Sequence, residues 1–272
     1  MAPGTALVTG GSAGIGREFC VQLAQRGHDL IAVARDGERL RALAEELSTR
    51  HGIRVEPLVA DLSRDADTAR VAERIEAESS LVLLVNNAGF GTSGSLATTA
   101  PGPQEQMLRL HVLAPMLLTR AALAGMIARR QGGIINVSSI ASFVWAPGSI
   151  NYCATKAYLT TFTEGLALEL AGSGVQAQAL CPGFTGTEFH QRMGSDDHPR
   201  PRALWMKAET VVRASLVQLD RGGPVVCVPG LRNKVLVGFI GLLPRRVISF
   251  LIGRRRPRAG VTRDIAGARS DR

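Results

Sequence analysis

The chain has 272 residues, 45% of them hydrophobic and 20% charged. This balance excludes a disordered chain and a multi-span membrane protein, and the length suits one α/β core. The formal charge of +9 sits at one end: residues 232–272 carry 11 Arg or Lys against Asp264 and Asp271, whereas residues 1–231 hold 21 bases and 21 acids. The alkaline character thus describes a tail, and without an aromatic stacking platform or a reading motif it argues against nucleic-acid binding.

The first apolar run, Thr5 to Thr9, predicts a strand that ends at once in Thr9-Gly10-Gly11-Ser12-Ala13-Gly14-Ile15-Gly16, followed by a helical pattern from Arg17 to Arg26. Glycines at such a turn let the backbone approach a pyrophosphate, and the following helix offers free N–H groups and a positive dipole end. The segment is a candidate phosphate cradle, although its spacing departs from G-x-G-x-x-G and a tight connection alone would account for it. No basic stretch leads into an apolar one at the start, so no signal peptide is expected. Four scattered cysteines, Cys20, Cys153, Cys181 and Cys227, lack paired spacing, and reduced thiols in the cytoplasm are the expectation.

Further strands are predicted at Leu30–Ala34, Val55–Val59, Leu81–Asn86, Gly133–Ser138, Val175–Cys181 and Val225–Pro229. They alternate with helices at Glu38–Arg50, Asp65–Glu78, Gln104–Arg130, Ala154–Leu170 and Ala208–Leu219. This rhythm predicts an α/β fold: a Rossmann-type, doubly wound parallel sheet of about seven strands with helices on both faces. Residues 1–231 read as one domain, with residues 184–206 as a substrate lid because they lack a period and contain Pro199 and Pro201. Residues 232–272 read as an extension, apolar and then basic. Its runs Val235–Leu243 and Val247–Gly253 are each too short to span a bilayer and predict a helix pair docked on the core. The other reading places them on an anionic leaflet beside Arg245, Arg246, Arg254, Arg255, Arg256 and Arg258, a peripheral membrane contact. They also suit a pocket wall or an oligomer interface.

Several motifs fall at the ends of these strands. Asn86-Asn87-Ala88-Gly89 closes the fourth strand, Asp61-Leu62 follows the third, and Ser138-Ser139 ends the fifth. Tyr152 and Lys156 stand four apart on one helix face, 13 residues after Ser139 in the case of the tyrosine, and Pro182-Gly183 with Thr187 follow the sixth strand. Singly these residues suit packing, a solvated charge or a helix cap. In order, from Thr9 to Thr187, the set resembles the short-chain dehydrogenase/reductase family, whose glycine pattern is T-G-x-x-x-G-x-G.

The resemblance implies a nicotinamide cofactor held by Gly10, Ser12, Gly14, Ile15, Gly16, Asp61, Leu62, Asn87, Ala88, Gly89, Pro182, Gly183 and Thr187, together with Tyr152 and Lys156. It implies a catalytic role for Tyr152 as proton donor, for Lys156 as ribose ligand and support of the phenolate, and for Ser139 as partner of the substrate oxygen. It also implies a homodimer or homotetramer. At the end of the second strand, where NAD enzymes commonly carry a carboxylate, stands Ala34, and the next residue, Arg35, can pair with a 2′-phosphate. NADP(H) is the expected cofactor, Asp36 reading as a helix cap rather than a ribose ligand. His111 replaces the asparagine of the family's water relay; it reads either as a substitute titrating near pH 6.5 or as a core histidine. The expected activity is interconversion of an alcohol and a carbonyl, reducing an apolar ketone or aldehyde. The alternatives are a cofactor-binding sensor or scaffold with weak turnover, or a membrane-recruited lipid-modifying reductase. No metal site is expected, since His28, His51, His190 and His198 lack ligand spacing.

Overall fold

The computed structural model describes residues 2–187 and 205–253. Within these, seven strands form one parallel sheet: β1 (Thr5–Thr9), β2 (Asp29–Ala34), β3 (Val55–Val59), β4 (Leu81–Asn86), β5 (Gly132–Val137), β6 (Val175–Leu180) and β7 (Val226–Cys227). Their order is β3-β2-β1-β4-β5-β6-β7. The helices are α1 (Gly14–Gln25), α2 (Gly37–His51), α3 (Asp65–Glu76), α4 (Pro101–Leu108), α5 (Ala114–Ala128), α6 (Ile150–Glu169), α7 (Ala208–Asp220), α8 (Leu231–Leu242) and α9 (Arg245–Gly253).

Strand alternation sorts the core into two layers. Ala6 and Val8 point toward Phe19, Leu40 and Leu216 on one side, while Leu7 between them points toward Val71, Leu118 and Ile134 on the other. Because both faces are covered, β4 and β5 are buried along their whole length, and neither shows the apolar-polar alternation of a half-exposed strand. The chain goes from β1 outward to β2 and β3, then returns across to β4. The carboxyl ends of β1 and β4 therefore flank the switch point, where open α/β sheets form their binding crevice.

Several elements differ from their predicted form. The helix predicted over Gln104–Arg130 is two helices joined by a π-turn, Arg109–Leu113, in which the Ala114 amide reaches back to the Arg109 carbonyl. Pro115 explains the wider turn: it has no N–H, and its ring crowds the carbonyl four residues back, that of His111. Strand β7 is only two residues long, between Pro224 and Pro229. At the opposite edge, β3 carries Pro57 in the middle of its register with β2.

The predicted core-docked pair at the carboxyl end is docked along one side only, where Val237 packs against Val228 and Cys181. The two helices form, but Leu231 and Leu242 are 77% and 84% exposed, and among the residues of the pair whose burial is described only Ile248 is buried. Most of the predicted lid, His190, His198 and the arginines from 254 onward lie outside the described residues.

Candidate active site

The cradle is built where β1 meets α1. The amides of Gly10 and Gly11 both donate to the Val33 carbonyl, at 2.7 and 3.2 Å, which bends the chain sharply off the strand. Gly10 has φ 69° and Gly14 φ 55°, left-handed values at which a side chain is strained. Thr9 and Asn87 then clamp this turn to the end of β4. The Thr9 hydroxyl accepts from the amides of Asn87 and Ala88, each at 2.9 Å, and the Asn87 side chain donates to the Thr9 carbonyl at 2.8 Å.

A cavity of about 1090 Å³ runs from this cradle to the catalytic groups. It is lined by Gly10, Ser12, Gly14, Ile15, Arg35, Asp61, Leu62, Asn87, Ala88, Gly89, Ser139, Tyr152, Lys156, Pro182, Gly183 and Thr187, sixteen of the residues named from the sequence. Gly16 stands behind the cavity lining rather than in it. A Cβ there would stand 2.1 Å from the Gly10 carbonyl oxygen, so its absence lets α1 pack against the cradle. The left-handed glycines, the close approach of α1 and the cavity's length fit a dinucleotide stretched across the switch point.

At the end of the cavity beside β2, Arg35 is exposed and Asp36 caps α2, its carboxylate accepting from the Arg39 amide at 3.0 Å and pairing with the Arg39 guanidinium at 3.3 Å. Arg39 also lines the cavity, and it escaped the sequence reading. Its signal was available, since it stands four residues after Arg35 in a predicted helix.

At the far end, the Ser139 hydroxyl hydrogen-bonds that of Tyr152 and also accepts from the Ala141 amide at 3.1 Å, capping the 3₁₀ turn Ile140–Phe143. The Lys156 ammonium donates to the Val137 carbonyl at 2.8 Å and lies 5.8 Å from the Tyr152 ring centre. Burial sets both ionisations: it pushes the Tyr152 hydroxyl up to about 12 and the Lys156 ammonium down to about 8. Both shifts favour the neutral forms, so the phenol keeps its proton at neutral pH. Ser138 serves the fold instead, because its hydroxyl bonds the Lys156 carbonyl and Thr160, each at 2.8 Å, fixing α6 to β5.

His111 is fully buried and lies behind the cavity wall. Its Nε2 accepts from the Phe90 amide at 3.1 Å, so Nδ1 carries the proton and bonds the Thr155 hydroxyl at 3.0 Å, which in turn donates to the Tyr152 carbonyl at 2.9 Å. Burial first, and the Lys156 charge second, hold its pKa well below the usual value. The expected titration near pH 6.5 is thus corrected: both ring nitrogens are occupied by protein partners, and the ring ties the loop after β4 to the catalytic helix.

A consequence is measurable. Below about pH 6.5 the unfolded chain takes up a proton that the folded His111 refuses, so stability falls with acidification at up to about 1.4 kcal/mol per pH unit. His111→Asn removes this contribution, and its melting temperature changes less than that of the wild type between pH 7 and pH 5. Equal losses in both proteins would show that the folded ring takes up the proton.

One side of the cavity is apolar, and the run Val235–Leu243, for which a pocket wall was one of the readings, contributes to it. Phe90, Val144, Ala146, Trp205, Leu236 and Ile240 line it, the last two from α8. Asn233 of α8 donates to the Pro229 carbonyl at 2.9 Å and lies where a Cβ on Gly183 would meet its amide nitrogen at 2.6 Å. All four cysteines are buried free thiols, and no cluster of potential metal ligands occurs among the described residues.

A family model described as short chain dehydrogenase matches residues 4–198. A short chain dehydrogenase of Pseudocercospora fijiensis is 35% identical over 246 residues, covering 86% of this chain and 78% of that one. Among solved structures, a short-chain dehydrogenase from Sphingobium yanoikuyae in complex with NADPH is 36% identical with a TM-score of 0.78, covering 89% of this chain and 97% of the other. The bulky-bulky ketone specific alcohol dehydrogenase from Comamonas testosteroni is 30% identical with a TM-score of 0.75, covering 90% and 96%.

Proposed function

This chain belongs to the short-chain dehydrogenase/reductase family, and from that premise we propose that it reduces a bulky apolar ketone or aldehyde with NADPH, and oxidises the corresponding alcohol in reverse. The observation that carries the reading is the group of half-buried Ser139 and Tyr152 with buried Lys156 at one end of a cavity whose other end presents Arg35 and Arg39. The bound nicotinamide supplies or accepts the hydride. The protein's own groups handle the oxygen. A phenol held at about 12 is protonated at neutral pH and is ready to donate to a carbonyl oxygen. The Ser139 hydroxyl bonds the same oxygen as negative charge develops, and the Lys156 ammonium supports the phenolate left behind. The apolar wall of Phe90, Val144, Trp205, Leu236 and Ile240 supports an apolar substrate and keeps water from these bonds. The Comamonas relative's preference for bulky ketones agrees with it.

The phosphate preference rests on Ala34, which brings no carboxylate, and on the two arginines; the NADPH bound to the Sphingobium relative supports it. Arg35→Ala weakens NADP(H) by about 1.5–3 kcal/mol, roughly 10–100-fold, and leaves NAD(H) nearly unchanged. Titrating both cofactors into both proteins checks this, and equal weakening of the two would overturn the preference. A screen of ketones, aldehydes and alcohols at the nicotinamide absorbance tests the activity; binding without turnover across the whole panel would favour a sensor.

Members of the family are usually oligomeric. Exposed Leu113, Leu117 and Ile127 near and on α5, with Tyr158 and Leu168 on α6, support a homodimer or homotetramer assembled on these helices. Four unpaired buried thiols support a cytoplasmic setting.

A further inference from the structure

Helix α8 has two apolar sides with different neighbours. On one, Leu236 and Ile240 line the cavity, and Val237 packs against Val228 and Cys181. On the other, Leu231, Val235, Phe239 and Leu242 recur at the spacing of a single helical stripe and are 77%, 64%, 58% and 84% exposed. Helix α9 continues the surface with exposed Val247 and Leu251. It is latched to the loop at the cavity's rim, where the Trp145 indole donates to the Ser249 hydroxyl at 3.2 Å and the Arg245 guanidinium lies 5.1 Å from the Trp145 ring centre.

The charge carried by these two helices has one sign. Arg232, Lys234, Arg245 and Arg246 flank the apolar residues, and no Asp or Glu occurs from residue 221 to residue 263. A second copy of the chain is a poor occupant, because a two-fold contact would set these cations against their own counterparts. Together α8 and α9 reach the length and hydropathy of a membrane-crossing segment, yet the chain turns by 119° between them. Bent in this way they suit the plane of an interface, with aliphatic side chains in the acyl boundary and cations among anionic headgroups.

We propose that α8 and α9 dock the enzyme side-on to an anionic lipid bilayer. The helix wall shared with the cavity then lies against the lipid, giving an apolar substrate dissolved in the bilayer a short route to Tyr152. The docking itself does not depend on the proposed activity.

Flotation of the full-length protein with phosphatidylcholine vesicles, with and without phosphatidylglycerol, tests this directly. The protein is expected to float with the anionic vesicles at low salt and to be released at high salt, since exposed charges are screened. Phe239→Glu with Leu242→Glu lowers binding by about tenfold or more, with NADPH affinity and melting temperature retained because both positions are exposed and outside the cavity. Arg245→Glu with Arg246→Glu lowers it as well. Equal binding to neutral vesicles, no binding to anionic ones, or binding untouched by both double variants would overturn the proposal. So would a smaller oligomer of the Phe239/Leu242 variant in sedimentation with vesicle binding retained, which would assign the face to a second copy. Flotation needs no substrate, so these outcomes are separate from the success or failure of the turnover screen.

Discussion

Tyr152→Phe lowers kcat by about 10²–10⁴-fold while the Kd for NADPH changes little. The substitution removes one hydroxyl and keeps the ring that packs beside His111, with centres 6.0 Å apart. The lost group hydrogen-bonds Ser139 and is the one positioned to give its proton to the substrate oxygen. Ser139 remains in the variant but is held as the cap of Ile140–Phe143, and its own proton is too weakly acidic to replace the phenol's. Lys156→Ala is expected to behave differently, damaging turnover and cofactor binding together, because the proposed role of the ammonium covers both the ribose and the phenolate. Steady-state rates and fluorescence titration of NADPH separate the two cases. Retention of most activity by Tyr152→Phe would overturn the assignment of the proton donor.

Gly16→Ala is expected to weaken NADPH binding by about a hundredfold or more and to destabilise the fold by several kcal/mol, although it adds a single methyl group. The new carbon would stand 2.1 Å from the Gly10 carbonyl oxygen and 2.4 Å from the Asn87 amide nitrogen. Neither neighbour can swing aside. One is backbone, and the other holds the Thr9 carbonyl that keeps the cradle against β4. Helix α1 must therefore move away, taking its first amides off the pyrophosphate position. The control is the same chemical change at Gly165, inside α6, where nothing lies within 4 Å of the added carbon. Gly165→Ala gains about 0.5–1 kcal/mol from a better helix former. Melting curves of the two variants should move in opposite directions, and a Gly16→Ala protein that melts and binds like the wild type would show that the cradle tolerates a wider spacing.

How far the sequence carries can be judged at particular residues. Strands β1, β3 and β4 were legible to the residue: β1 is an apolar run between Gly4 and Gly10 and β4 one that ends in Asn86-Asn87, while β3 is marked by β-branched Val55 and Val59 at its two ends. The cofactor cradle and the tyrosine-lysine pair were legible because both are local, each set by a few consecutive positions. What escaped depends on contacts between distant segments. The approach of Asn233 to Gly183 joins positions fifty residues apart in the chain, and the wall that Phe90, Val144 and Trp205 form exists only once three separate loops meet at the cavity. The π-turn was hidden by periodicity: its extra residue leaves the apolar pattern on both sides intact, and only Pro115 marked the break. For His111 the residue was visible but its environment was not, and burial rather than identity decides how it titrates.

Pro57 has a consequence for the molecule's behaviour in a crowded solution. The Ala60 amide donates inward, to the Ala34 carbonyl, so by the two-residue alternation of a strand the amide positions of Val55, Pro57 and Val59 face the open edge. At the middle one there is no hydrogen to donate. A stray β-segment from a neighbouring chain would find its central rung missing on β3, and on β7 only two residues to grip. Both sides of the sheet are thus closed to templated growth, a safeguard against aggregation for a protein that also displays the exposed leucines and phenylalanine of α8.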